Sequence, residues 1–294
     1  MHRYLRAIGF SKIRTKSEQN KLVNAAFHDF STKQEISVGV DTNLVQINRF
    51  FGNNIGISII GEMDLDEHFT LDHAFPFCSG LHTTVHPEIQ IEEHSNQESY
   101  SGVSDDYDLG ITLIYSLTNI VDYVKCKWTN QFYKVPSKLR FGALSTEGKI
   151  LCGVHLDHLV HPYDTQPISN AARKKLIAKA KNGDMDALED LTLDDMDTYS
   201  LITKRIKDED LLTVVETYFM PYGIDNEQYS ILGIIKNIDK ITNEISKELV
   251  YNLTILCNNI LLNVVINSVD LEGEPAIGRR FKGIIWLQAK VEFE

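Results

Sequence analysis

Apolar residues recur at every second position over much of the chain and at every third or fourth in a few short stretches, and the two periods predict different elements. In "FKGIIWLQAKVEF" the alternation sets Phe281, Ile285, Leu287, Val291 and Phe293 on one face of a strand and Lys282, Trp286, Gln288 and Lys290 on the other. Tyr251, Leu253, Ile255 and Cys257 alternate in the same way. Earlier, "EISVGV", "NLVQINRFF", "IGISIIGEM", "HFTLDHAFPF" and "TVHPEIQIEE" are short β-rich runs separated by turn signals such as "GNN" and "MDLDE". They predict an antiparallel sheet covered by helices, not alternating βαβ units.

Helical spacing predicts the cover. Thr15 and Glu18 form a capping-box signature, and Leu22, Val23, Ala26, Phe27 and Phe30 follow on one face, so an amphipathic helix is expected over 17–30 with the basic leader packed beside it. Residues 108–126 fit two elements: their front half is β-branched, whereas Leu117, Ile120, Val121 and Val124 suit a helix. From about residue 166 the composition shifts to helix formers. Asn182-Gly183 stops one helix, Asp184 caps a second, and Thr192 with Asp195 starts a third. After the turn in "MPYG", four or five short strands suggest a small closed barrel. The expected fold is therefore α+β: an N-terminal α+β domain over 1–165 (antiparallel sheet with helices), a central helical segment over 166–217, and a small C-terminal β-barrel over 218–294, loosely like an oligonucleotide/oligosaccharide-binding (OB) fold.

Composition narrows the classes without naming a function. With 43% hydrophobic and 24% charged residues in 294, the chain is an ordinary globular protein with room for two domains. A net charge of -12 opposes nonspecific attraction to nucleic acid or to an anionic membrane. Cys78, Cys126, Cys152 and Cys257 form no C-x-x-C pair, which fits thiols kept reduced. The start "MHRYLRAIGFSKIRTK" is basic but lacks an apolar signal run, and no stretch reaches the length of a membrane span, so a cytoplasmic location is expected.

Four stretches carry a family likeness: "MHRYLRAIGFSK", "AKNGDMDALEDLTLDDMDTYS", "VETYFMPYGIDNEQYSILG" and "GEPAIGRRFKGIIWLQ". The chain resembles, nearly end to end, an uncharacterised clostridial family known as a domain of unknown function. The resemblance implies a bacterial, cytosolic origin and supplies no reaction, ligand or catalytic residue.

Candidate chemistry rests on three clusters. In "GVHLDHLVHPYDT", His155, His158 and His161 recur every third residue, with Asp157 and Asp164 as further donors for a divalent transition metal such as zinc; the alternative is the solvated edge of a loop. In "HAFPFCSGLHTTVH", His73, Cys78, His82 and His86 could bind a metal or pair a thiol with an imidazole, but the stretch lacks the glutamate of H-E-x-x-H. On the last strand, Arg279, Arg280, Lys282 and Trp286 could form a partner-binding face. The alternative places Trp286 beneath the helical segment, with the two arginines paired to its acidic residues. Residues 216–294 hold seven Lys or Arg against eleven Asp or Glu, a poor balance for a phosphate backbone. Phosphate-loop, dinucleotide, serine-hydrolase and EF-hand templates are incomplete or absent.

These observations favour a cytosolic binding or regulatory protein with no catalysis and no cofactor of its own; its partner is not named by the sequence, another protein being the candidate. The competing expectation is a metal-dependent hydrolytic enzyme using a histidine cluster.

Overall fold

The computed structural model describes residues 3–85, 89–94, 99–106, 111–128, 136–153, 170–181, 183–192, 215–223 and 227–293. Strands dominate. The first sheet is an antiparallel meander of β1 (Thr32–Ser37), β2 (Thr42–Gly52), β3 (Ile55–Asp64) and β4 (Phe69–Cys78) in that order. The second has 11 strands: β5 (Thr83–Val85), β6 (Ile89–His94), β7 (Ser99–Asp106), β8 (Ile111–Leu117), β9 (Pro136–Leu151), β10 (Tyr218–Pro221), β11 (Gln228–Thr242), β12 (Leu249–Cys257), β13 (Ile260–Asn267), β14 (Leu271–Glu272) and β15 (Arg280–Phe293).

Five of these strands close on themselves. β11 pairs with β12 and β12 with β13, both antiparallel; β13 runs parallel to β9; β9 pairs with β15; and β15 returns to β11. Closure leaves no free edge within the ring. One edge of β15 bonds β9 along its length, while the other bonds β11 over Arg280–Trp286 and then β8 at Gln288 and Ala289. From β8 a wing of β7 and β6 extends the sheet. Tyr229 secures the point where the wing departs: the Ile114 N–H donates to its hydroxyl at 2.8 Å, and that hydroxyl donates to the Ile114 carbonyl at 3.1 Å. Burial pushes the Tyr229 pKa up, which keeps the donor proton in place.

The expected α+β fold is overturned. The protein is mostly β, built on sheets of 4 and 11 strands, and not a sheet domain, a central helical segment and a separate OB-like barrel. β9, from the first half of the chain, completes the ring that the sequence pattern assigned to the C-terminal strands alone, so strands on both sides of 166–217 share one sheet. Of that segment, the described residues include a helix over Asn170–Lys181 and a helical stretch over 185–192. They are punctuated as expected: Gly183 has φ +89°, and the Asp184 carboxylate accepts the Ala187 N–H at 3.2 Å.

Local signals elsewhere hold. Helix α1 (Lys16–His28) has its capping box, with the Glu18 N–H donating to Thr15 Oγ1 at 3.2 Å and the Thr15 N–H donating to Glu18 Oε2 at 3.0 Å. The stretch that fits two elements contains both, β8 followed by helix α2 (Ile120–Trp128). One core fills the ring with Ile231, Ile255, Val264, Phe281 and Leu287 and continues under β7, β8 and α2. A second core lies outside the ring, where β2, β3, α1 and a short 3-10 helix over Arg3–Ile8 pack on its outer wall at Leu144, Ile241, Val250 and Val265. Trp286 borders both cores.

Candidate functional site

Alternation along β12 and β13 sends one set of side chains into the ring and the other outward. The outward set is Val250, Asn252, Thr254 and Leu256 on β12, with Leu261, Asn263, Val265 and Asn267 on β13. Its cover changes from one end to the other. At the first end lies the N-terminal leader: Asn243, fully buried, donates to the Ile8 carbonyl at 2.8 Å, and Asn267 donates to the Arg6 carbonyl at 3.1 Å and to Glu248 at 2.6 Å. Ser11 donates to Glu248 through its hydroxyl and its N–H, and Arg6 forms a two-pronged ion pair with Asp270. Gly9 has φ +99°, and a Cβ there would lie 2.9 Å from that of Asn243, so the close approach needs glycine.

In the middle, Asn263 donates to Asn252 and Thr254 and accepts the Leu81 N–H at 2.9 Å. The segment Cys78–Leu81 is itself pinned: Gln288 accepts the Cys78 N–H at 3.0 Å and donates to the Pro76 carbonyl at 2.9 Å. A Cβ on Gly142 would meet the Cys78 carbonyl at 2.1 Å, and one on Gly80 the Phe141 carbonyl at 2.4 Å, so this segment crosses β9 backbone to backbone.

Beyond Leu81 the outer wall is open among the described residues. A groove of about 490 Å3 is lined by Leu81, His82, Lys236, Asn237, Thr254, Leu256 and Leu261. Its volume falls within the range of about 300–1,000 Å3 for small-molecule sites. Leu256 and Leu261 face each other across the β12–β13 ladder and form an apolar floor with Thr254, whose hydroxyl is taken up by Asn263. One wall is Leu81 and His82. The other is made by a bulge: Ile235 pairs with Ile255 and Asn237 with Thr254, so Lys236 is an extra residue, and both it and Asn237 are exposed at the rim. The turn before β15 holds the bulge, because the Ile235 N–H donates to the Arg279 carbonyl at 2.8 Å and the Gly278 N–H donates to the Ile235 carbonyl at 2.9 Å.

The residues singled out from sequence scatter around this geometry. His155, His158 and His161, with Asp157 and Asp164, lie outside the described residues, as does His86. Among the described residues no group of three or more His, Cys, Asp and Glu could hold a metal ion. His73 hydrogen-bonds Asp72 and stacks on Phe75, whereas Cys78 is fully buried and its thiol is pushed up to about 12 by desolvation. A buried thiol of that pKa is a packing residue and not a nucleophile. Cys257 is likewise pushed up to about 12 by burial. Of the described members of this cluster, His82 alone lines the groove.

The basic-aromatic cluster is also dispersed. Trp286 is half-buried beneath the leader and β4: its ring stacks on Tyr4 at 5.2 Å, meets Phe75 edge-on at 6.4 Å, and its indole N–H donates to Ser116 at 3.0 Å. Arg280 is buried and donates to the carbonyls of Cys152 and Val215, and burial lowers its pKa. Arg279 is exposed and donates to the Glu274 carbonyl, so neither arginine makes the expected carboxylate pair among the described residues. Lys282 lies opposite Lys149 in the β9–β15 ladder.

What the sequence reading missed is the set of buried amides that hold the cover in place. The signal was present: in "YNLTILC" and "LLNVVIN" the polar residues within the apolar runs, Asn252 with Thr254 and Asn263 with Asn267, each fall on one face of their strand. That pattern marks a face covered by hydrogen-bonding backbone, not one open to water.

Fold and site together define a mostly β protein whose strand ring carries, on the outer wall of β12 and β13, a clad half and an apolar-floored groove among the described residues. The chain belongs to the family DUF3881, a domain of unknown function described from a gene of E. rectale, a clostridial bacterium; the family profile matches residues 5–289. No curated protein and no solved structure matches the chain.

Proposed function

We propose that this is a bacterial, cytoplasmic binding protein without catalysis of its own, and that its ligand seats in the groove between Leu81–His82 and Lys236–Asn237. The observation that carries this reading is the interruption of the cladding. Elsewhere the outer faces of β12 and β13 are packed under the leader or hydrogen-bonded to the segment at Leu81, whereas Leu256 and Leu261 present paired apolar side chains to an open cavity. A bulge, a feature that re-aims side chains beside functional sites, sets one rim. Cys78 and Cys257 are buried and protonated, which speaks against these two thiols as nucleophiles. No described helix is long and apolar enough to cross a membrane.

Native mass spectrometry of the untagged full chain, purified from its own host, tests the proposal. Wild type is expected to carry a bound mass that a Leu256→Glu, Leu261→Glu variant of unchanged thermal stability lacks. Identical bound masses in the two forms would count against the groove.

A further inference from the structure

Resting on that reading, we infer that the groove takes a small anionic amphiphile: an apolar body against Leu256 and Leu261, ending in a carboxylate held at the rim by Lys236 and His82. The floor and the two walls differ in chemistry. Leu81, Leu256 and Leu261 supply the apolar contacts, and the polar lining residues are His82, Lys236, Asn237 and Thr254. Of these four, two are already committed. Thr254 Oγ1 accepts from Asn263, and the Asn237 amide donates to Asp239 at 3.2 Å. Lys236 and His82 are different: among the described residues neither has an ion pair or a hydrogen-bond partner.

The bulge adds one residue to β11 and brings Lys236, not a carboxylate, to the cavity edge of a chain with net charge -12. The nearest carboxylate along the strand, Asp239, is taken by Asn237 and not by Lys236. An ammonium and an imidazole on opposite walls of the groove complement one oxyanion between them, and a hydrogen bond from an ionised donor is stronger than a neutral one. A neutral apolar ligand would leave both donors unused. A cationic one would be repelled.

Isothermal titration of the full chain with decanoate, decan-1-ol and decylamine, each below its micelle concentration, separates these cases because the three probes share a chain and differ in the head group. Decanoate is expected to bind at least tenfold more tightly than decan-1-ol, and decylamine most weakly. Lys236→Met should weaken decanoate about tenfold, to the level of the alcohol, and leave the alcohol unchanged, while Lys282→Met, on a residue that does not line the groove, leaves all three unchanged. Leu261→Gln should weaken decanoate and decan-1-ol alike. Equal affinity for acid and alcohol, no response to Lys236→Met, or no binding of any probe would overturn the anionic assignment and leave the groove itself standing on the native mass measurement. Decanoate binding indifferent to Leu261→Gln would overturn the groove as the site, and this inference with it.

Discussion

The outer faces of β12 and β13 are the same two strands with two different fates. At Val250, Val265 and Asn267 the strands lie under the N-terminal leader, and every polar group there named above has a partner; at Thr254, Leu256 and Leu261 the same alternation faces a cavity. The difference does not come from strand propensity, which is alike in both halves. It comes from what the rest of the chain brings over the wall. Buried amides recruit backbone, as Asn243, Asn267, Asn263 and Gln288 do, and where the amides stop, the cover stops. The clad half is thus expected to carry stability and the open half to carry little.

The largest effect should come from the clad side. Trp286→Ala removes the ring that Tyr4 and Phe75 pack against and should cost about 3–5 kcal/mol in chemical denaturation. A cost below about 1 kcal/mol, within the usual range for surface substitutions, would break the comparison by making the leader a loose appendage. Gln288→Leu comes next. It orphans the Cys78 N–H and the Pro76 carbonyl together, so a loss of about 2–4 kcal/mol is expected in the same assay.

How far these effects could be foreseen differs by element. The α1 capping box, the Gly183 stop and the two faces of β15 were legible because each depends on residues within a few positions of one another. β9 was not legible. "PSKLRFGALSTEGKIL" carries two glycines and four charges, and its strand state comes from β15 and β13 on either side, a tertiary override of weak local preference. The cover over Trp286 had the same character: its size announced burial, but only the fold could say that Tyr4, 282 positions earlier, would provide it. The groove depends on a one-residue register shift at Lys236, and no period in the sequence marks that shift.

Alkaline titration sharpens the comparison on a smaller scale. A thiol whose pKa is about 12 in the fold against an ordinary 9.0 keeps its proton longer when folded, so the unfolded chain binds fewer protons between those values and stability falls as pH rises through that window. The denaturation midpoint of wild type should fall above pH 9, and a Cys78→Ala variant should lose less over the same range than wild type does. An identical slope would show that Cys78 is not buried as the fold requires. The smallest effect is expected in the open half, where Leu261→Gln should change stability by less than about 1 kcal/mol. A cost there as large as that of Trp286→Ala would mean that the floor is part of the core, and the two halves would no longer differ.

The closure of the ring by β15 on β9 also has a consequence in time. Ala143 pairs with Leu287, so during synthesis the first of these strands waits for well over a hundred residues before its neighbour leaves the ribosome. Until then β9 and the wing at β8 present unpaired edges, the condition in which nascent β chains associate with one another. Such remote pairing also slows folding, because the loop must close before the ladder rewards it. A cell that makes this protein therefore has to protect a half-built sheet, and messages truncated before residue 280 would yield aggregates in place of a smaller folded unit.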